Sequence, residues 1–213
     1  MILRLFRLVE PTPVGSIILD DIKLSDLGLF DLRSRISIIP QEPFCFEGTL
    51  RFNIDPFNQY TDDQLWRVLE AVELKSVVSK LGNKLESEVA ENGGNWSFGE
   101  RQLICLARAI LKNTGLIVMD EATSAVDLRT DSMIQKAIRS DDENGLFKNS
   151  TVITIAHRLN TVIDFDFIMV LDQGEIVEYD RPYDMLLKKS SNPTAWFRRM
   201  VFISTFKTVI LTH

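Results

Sequence analysis

Apolar positions along the chain follow two rhythms. The runs LIVM (116–119) and TVITIA (151–156) are continuous, long enough for strands and too short for helices, with no polar alternation. Strands covered on both faces read this way. Between them Met133, Ile134, Ala137 and Ile138 fall on one helical face, which predicts a β-α-β unit with parallel strands and a right-handed connection. Upstream the period is helical. Leu65, Leu69 and Val72 share a face behind a capping box of Thr61 and Gln64, and Leu103, Leu106, Ala107 and Ile110 share one behind Ser97 and Glu100. The intervening ENGGN (91–95) reads as a turn. Residues 1–40 run from Ile2, Leu3 and Phe6 through Pro11, Pro13 and Gly15 to GSIILDDIKL and RISIIP, short strands separated by turns. Near the end, FIMVLDQGEIVEY predicts a hairpin turning at Gln173-Gly174, and Asp180 with Pro182 opens a helix over YDMLLKK. The closing MVFISTFKTVILTH (200–213), apolar and β-branched but interrupted by Lys207, reads as an edge strand or a stray tail. The pattern as a whole predicts an α/β fold with a mostly parallel sheet, a helical lobe at about 61–112 and a β-rich N-terminal part.

Composition narrows this. A chain of 213 residues, 45% hydrophobic and 25% charged, is one ample domain or a domain with a smaller lobe, and disorder is excluded for most of it. Lys and Arg number 24 against 30 Asp and Glu, a net charge of -6, which argues against a protein that coats a nucleic-acid duplex but leaves room for a localised basic site. Two cysteines, Cys45 and Cys105, give no disulfide framework, fit a reducing compartment and read as packing residues. No stretch approaches the roughly 18 apolar residues of a membrane span, and no signal core is present, so the chain itself reads as soluble.

Chemistry gathers at the strand ends. Asp120 and Glu121 close the first buried strand in LIVMDEATSAVD (116–127), where adjacent carboxylates are costly unless they bind a metal or take up protons. One can serve a Mg²⁺ shell while its neighbour faces a water; the plainer alternative is two acids capping the next helix. His157 ends TVITIA, on the same rim if the two strands are neighbours. Ser97 and Gly99, in NWSFGERQL (95–103), stand at a helix N-terminus, where backbone N–H groups and the dipole favour an anion such as phosphate. Gln41, in SIIPQEPF (37–44), follows a strand and precedes Pro43, so its amide lies in a loop where it can coordinate a metal or bind water. By the rule for open sheets, ligands bind at the carboxyl ends of the strands.

Taken together and in this order, the four segments resemble the ATP-binding cassette (ABC) ATPase family: SIIPQEPF the Q-loop, NWSFGERQ the signature segment, LIVMDEATSAVD the Walker B and D-loop, TVITIAHR the switch histidine. The spacing between Gln41 and Ser97 leaves room for a helical lobe and none for coiled-coil arms. LFRLVEP, DLRSRISIIPQEPFCFEGTLRFNIDPF and AHRLNTVID further resemble the second nucleotide-binding domain of subfamily C, the multidrug-resistance-associated exporters, over residues 1–200. The resemblance implies Gln41 near Mg²⁺ and the attacking water, Asp120 on the Mg²⁺ shell, Glu121 as general base and His157 on the γ-phosphate of ATP. It implies that Ser97, Gly99 and the position of Glu100 face ATP bound by an opposing cassette. Ser124 to Asp127 would communicate across that interface, and Phe44 to Phe46 would face a transmembrane partner.

Two departures qualify the resemblance. The signature reads Trp96, Ser97, Phe98, Gly99, Glu100, with an acid where the family has glutamine. No G-x-x-x-x-G-K-[ST] occurs, and ILRLFRLVEP resembles the helix that follows such a loop, so the expectation is a truncated cassette with weak nucleotide binding of its own. Residues 201–213 do not resemble the family's end. The expected role is therefore that of an ABC exporter's ATP-hydrolysing domain, on the cytoplasmic face of a membrane, partnered by transmembrane domains and a second nucleotide-binding domain, without nucleic acid. The alternatives are a soluble ABC ATPase and a non-enzymatic cassette acting as a dimerisation module.

Overall fold

A computed structural model describes residues 16–120, 146–147, 149–156, 163, 165–187, 197 and 208–212. Its centre is a six-stranded sheet made of β3 (Ile36–Ile39), β6 (Leu116–Asp120), β7 (Thr151–Ala156), β8 (Phe167–Asp172), β9 (Glu175–Asp180) and β10 (Thr208–Thr212), ordered β3-β6-β7-β10-β8-β9. The first three run parallel. β10 is antiparallel to both β7 and β8, and β8 and β9 form an antiparallel hairpin. Two small antiparallel pairs lie apart, β1 (Ile18–Leu19) with β2 (Ile22–Lys23) and β4 (Gly48–Thr49) with β5 (Glu88–Val89).

β6 shows why its sequence lacks polar alternation. Ile117 and Met119 enter one buried cluster while Leu116 and Val118 enter another on the opposite face. The larger cluster is closed by two helices, α3 (Asp62–Ala71) and α5 (Phe98–Lys112), which contribute Leu65, Leu69, Leu103, Ile104 and Leu106. Each such aliphatic side chain gains about 1.5–3 kcal/mol from leaving water. The second face is covered by Leu24 and by Leu32 of a short helix, α1 (Leu29–Ser34). A third cluster, Phe165, Ile168, Val170, Met185 and Phe197, sits between the β8–β9 hairpin and helix α6 (Pro182–Leu187).

Both expected capping boxes are present. Thr61 N–H donates to Gln64 Oε1 at 2.9 Å, and Gln64 N–H returns to Thr61 Oγ1 at 3.4 Å. α5 stops at Asn113, whose left-handed conformation (φ 45°) turns its N–H back to Ala109 and Ile110. Gln173 and Gly174 both take positive φ, 48° and 89°, as a tight hairpin of right-handed twist requires.

Three expectations change. The zone at 61–112 is broken at more than the expected turn at 91–95: the one-turn α4 (Lys75–Val78) follows α3 after a short loop, and two 3₁₀ turns and β5 lie between α4 and α5. The N-terminal zone carries α1 as well as strands. Residues 208–212 are not an edge strand but an interior one, paired with β7 on one side and β8 on the other. The helix expected at Met133 to Ile138 lies outside the described residues. Among the described residues, no helix is long and apolar enough to cross a membrane.

Candidate functional site

The register of the parallel strands decides where their ends fall. Ile39 pairs with Met119, and Asp120 pairs with Ile155, so β3, β6 and β7 finish at one level. Pro40 and then the exposed Gln41 follow β3, Asp120 closes β6, and β7 ends at Ala156, the residue before His157. Of the nine sequence-derived candidates, Gln41, Asp120, Ser97, Gly99 and Glu100 fall among the described residues. Glu121, Ser124, Asp127 and His157 lie outside them.

Gln41 is placed by a residue that the sequence did not mark. Gln102, wholly buried on α5, donates through Nε2 to the Pro40 carbonyl at 3.3 Å, and so fastens α5 to the chain just before Gln41. Its Oε1 has no partner among the described residues.

The segment after Gln41 is held more firmly still. Asn53, in helix α2 (Leu50–Ile54), is buried and clamps Phe46 through both backbone groups: Phe46 N–H donates to Oδ1 and Nδ2 donates to the Phe46 carbonyl, each at 2.8 Å. Arg108 of α5 joins the two sides, donating to the Phe44 carbonyl at 2.9 Å, to Asn53 Oδ1 at 2.8 Å and to the Asn53 carbonyl. Its guanidinium carbon also lies 5.3 Å from the Phe44 ring centroid and 5.8 Å from that of Phe46. The rings themselves stay half exposed, Phe44 and Phe46 meeting edge-on at 5.3 Å with Phe52 beyond. Backbone atoms are thus fixed while apolar ring surface remains open. Arg108 escapes a sequence reading because its partners Asn53 and Phe44 lie 55 and 64 positions away, and Asn53 because no local pattern marks its seven-residue reach to Phe46.

At the start of α5 a capping box ties Glu100 to Ser97. Glu100 Oε2 accepts from Ser97 N–H and from Ser97 Oγ–H, both at 2.8 Å, while Glu100 N–H donates to Ser97 Oγ at 3.2 Å. The acid therefore occupies the Ser97 donors and places a negative charge at the helix start, which disfavours a second anion there. A like charge about 4 Å away costs about 1 kcal/mol in bulk water and about 4 kcal/mol near a protein surface. Donor capacity persists beside it: Trp96 Nε1 and Arg101 Nε are buried without an acceptor among the described residues. The turn before α5 is tight. Gly93 has φ 69°, and a Cβ there would come within 2.7 Å of Arg101 Cδ and 3.1 Å of Cys45 Cβ.

By residue type, Asp120 and Gln41 bring a carboxylate and an amide, oxygen donors of the kind Mg²⁺ prefers; the side chain of Asp120 lies outside those described. Among the described residues no group of three or more His, Cys, Asp or Glu converges on a metal position. A separate cavity of about 370 Å³, lined by Arg33, Ser37, Arg108 and Lys112, runs beside β3 rather than across the rim.

Residues 1–124 match the family model described as ABC transporter. ATP-binding cassette sub-family C member 4 of Mus musculus is 53% identical over 201 residues, covering 94% of this chain and 14% of that protein. Sub-family C member 2 of Rattus norvegicus is 53% identical over 187 residues, 88% of this chain and 12% of that protein. Among solved structures, a bacterial Atm1-family ABC exporter with ATP bound aligns at a TM-score of 0.79 with 29% identity, over 93% of this chain and 34% of that one. The chain thus spans a small fraction of the length of the curated relatives it matches.

Proposed function

This chain belongs to the ABC transporter family, and from that membership we propose that it forms the hydrolytic rim and signature lobe of a nucleotide-binding cassette in a subfamily C exporter. The shared level at which β3, β6 and β7 end is the observation that carries the reading, because it gathers Gln41, Asp120 and the approaches to Glu121 and His157 on one edge of the sheet. In this reading ATP is the substrate. Glu121 takes a proton from a water whose oxygen attacks the γ-phosphorus, the β–γ bridging P–O bond breaks, and ADP and phosphate leave. Gln41 orients that water, and His157 donates a hydrogen bond to a γ-phosphate oxygen. Asp120, with Gln41, would hold Mg²⁺, which when bound neutralises charge on the phosphates.

Ser97 and Gly99 would face ATP held by an opposing cassette. Here Glu100 makes that contact weaker than a neutral amide would. The half-exposed rings of Phe44 and Phe46, on backbone pinned by Asn53 and Arg108, supply a rigid apolar knob for a transmembrane partner on the membrane's cytoplasmic side. Closure of two cassettes over ATP would then be transmitted through that knob to move organic solutes.

The test is a chimera in which residues 16–187 replace the matching segment of the Mus musculus relative. The chimera is expected to hydrolyse ATP, and Glu121→Gln in it to lower turnover at least about 100-fold. A folded chimera whose turnover ignores Glu121→Gln would overturn the catalytic reading and leave the chain as a non-enzymatic cassette module.

A further inference from the structure

Three residues of α5, spaced three apart and so on one helical face, hold the two ends of the loop that carries Gln41. Gln102 Nε2 donates to the Pro40 carbonyl at 3.3 Å, Cys105 Sγ–H donates to the Phe44 carbonyl at 3.8 Å, and Arg108 Nη1 donates to that same carbonyl at 2.9 Å. Between these two carbonyls lie Gln41, Glu42 and Pro43. The loop has little slack of its own, because Pro40 and Pro43 fix their φ at about -65° and Pro43 also restricts Glu42 before it. The Pro40 carbonyl and the Gln41 N–H belong to one planar peptide unit. A grip on that oxygen therefore sets the plane from which the Gln41 Cα departs.

Gln102 is a costly side chain for this place. It is wholly buried, yet only one end of its amide is satisfied. The orientation is forced: a carbonyl oxygen only accepts, so the end that faces Pro40 is Nε2, and Oε1 is left without a partner among the described residues. A buried acceptor with no donor destabilises the fold, and methionine would fill a similar volume without a polar atom. Side chains kept against stability are characteristic of functional positions. We propose that Gln102 is a positioning residue for ATP hydrolysis: through the Pro40 carbonyl it fixes the peptide plane that carries Gln41, and so holds the Gln41 amide in register with the attacking water. This rests on the reading of Gln41 as the group that orients that water. Gln102 acts through Gln41 and touches neither water nor nucleotide.

The test compares Gln102→Met with Gln41→Ala, singly and together, in the chimera that carries residues 16–187. Gln102→Met is expected to lower kcat at least about 10-fold with the KM for ATP little changed. In the full 213-residue chain its urea midpoint should stay level or rise, which a merely structural role does not allow. In the Gln41→Ala background, Gln102→Met should change kcat by less than about 2-fold, since the residue it acts through is already gone. An unchanged kcat, a kcat that falls only together with the urea midpoint, or two losses that multiply in the double variant each overturn the proposal. A Gln41→Ala chimera of normal kcat overturns instead the reading of Gln41 on which the proposal rests, and the proposal with it. Should the chimera not fold, hydrogen exchange in the full chain decides: Gln102→Met is expected to speed exchange of residues 40–44 at least about 5-fold with α5 unchanged. Equal rates in that segment overturn the proposal.

Discussion

Arg108 reaches the Phe44 carbonyl at 2.9 Å and places its guanidinium carbon 5.3 Å from the ring of the same residue. One side chain thus fixes both the backbone and the aromatic face of a segment that begins three residues after Gln41. Because the same guanidinium also donates to Asn53, it ties the loop, α2 and α5 together. Lysine offers one compact ammonium and no planar fork, so it cannot serve these acceptors together. Arg108→Lys is expected to cost about 2–3 kcal/mol, from hydrogen bonds to a charged group and the carbonyls left without donors. Urea unfolding should show the loss, and limited proteolysis should show new cleavage at Phe44 to Phe46.

Glu100 and Ser97 separate stability from anion affinity. Ser97→Ala removes the cap hydroxyl and should cost about 1 kcal/mol. Glu100→Gln keeps an acceptor for Ser97 N–H and removes the charge, so stability should change by less than about 0.5 kcal/mol. In the chimera described above, Glu100→Gln is expected to lower the KM for ATP several-fold with kcat little changed. An unchanged KM would mean that the start of α5 does not face phosphate.

The purified chain should bind Mg-ATP poorly. Its sequence holds no G-x-x-x-x-G-K-[ST], the motif whose backbone N–H groups and lysine carry most of the contact with the phosphates. Calorimetric titration is expected to give a Kd of about 1 mM or weaker, equivalent to about -4 kcal/mol. Micromolar binding would show that another group on this chain supplies those contacts.

The thiols give a signed pH dependence. Burial pushes Cys45 and Cys105 above the ordinary value of 9.0, against the opposing pull of the Arg108 guanidinium. The folded state therefore holds these protons more tightly than the unfolded chain. Their contribution to stability is complete below pH 9.0 and is lost as pH rises through the raised values. Unfolding midpoints should fall on the alkaline side of pH 9.0, and Cys45→Ala with Cys105→Ala should flatten that fall. Lys112 acts in the opposite sense: burial lowers its value, so its penalty is relieved as pH rises.

Local signals were legible in the sequence where the physics is local. Thr61 and Ser97 announce their helices because the cap partner lies three residues away. The Gln173-Gly174 turn is set by two positive φ angles. The runs forming β6 and β7 could be recognised as doubly covered strands because burial on both faces removes polar alternation. The register of β3 with β6, which the sequence does not state, is what brings the chain at Gln41 and the end of β6 at Asp120 to one edge of the sheet. What escaped depends on distant partners. α1 begins at Gly28 with no side-chain cap, β4 and β5 are two residues each, and the slot of β10 is defined only by strands far upstream. Asn53 and Arg108 look like ordinary helix residues until the fold brings Phe44 and Phe46 to them.

Gly93 gives the sharpest packing prediction. Its φ of 69° lies where an L side chain is strained, and a methyl group there would press on Arg101 Cδ at 2.7 Å and Cys45 Cβ at 3.1 Å. The arginine tail can shift, but Arg101 Nη1 also holds the Asn92 carbonyl at 3.0 Å, so a shift loosens the turn that leads into α5. Strain and lost packing together should cost about 2–3 kcal/mol in Gly93→Ala. Gly82 offers a matched control, since a Cβ there meets nothing within 4 Å and its φ lies outside the left-handed range. Chemical denaturation of both variants checks the difference, and equal midpoints would show that the turn before α5 relaxes freely around the added methyl.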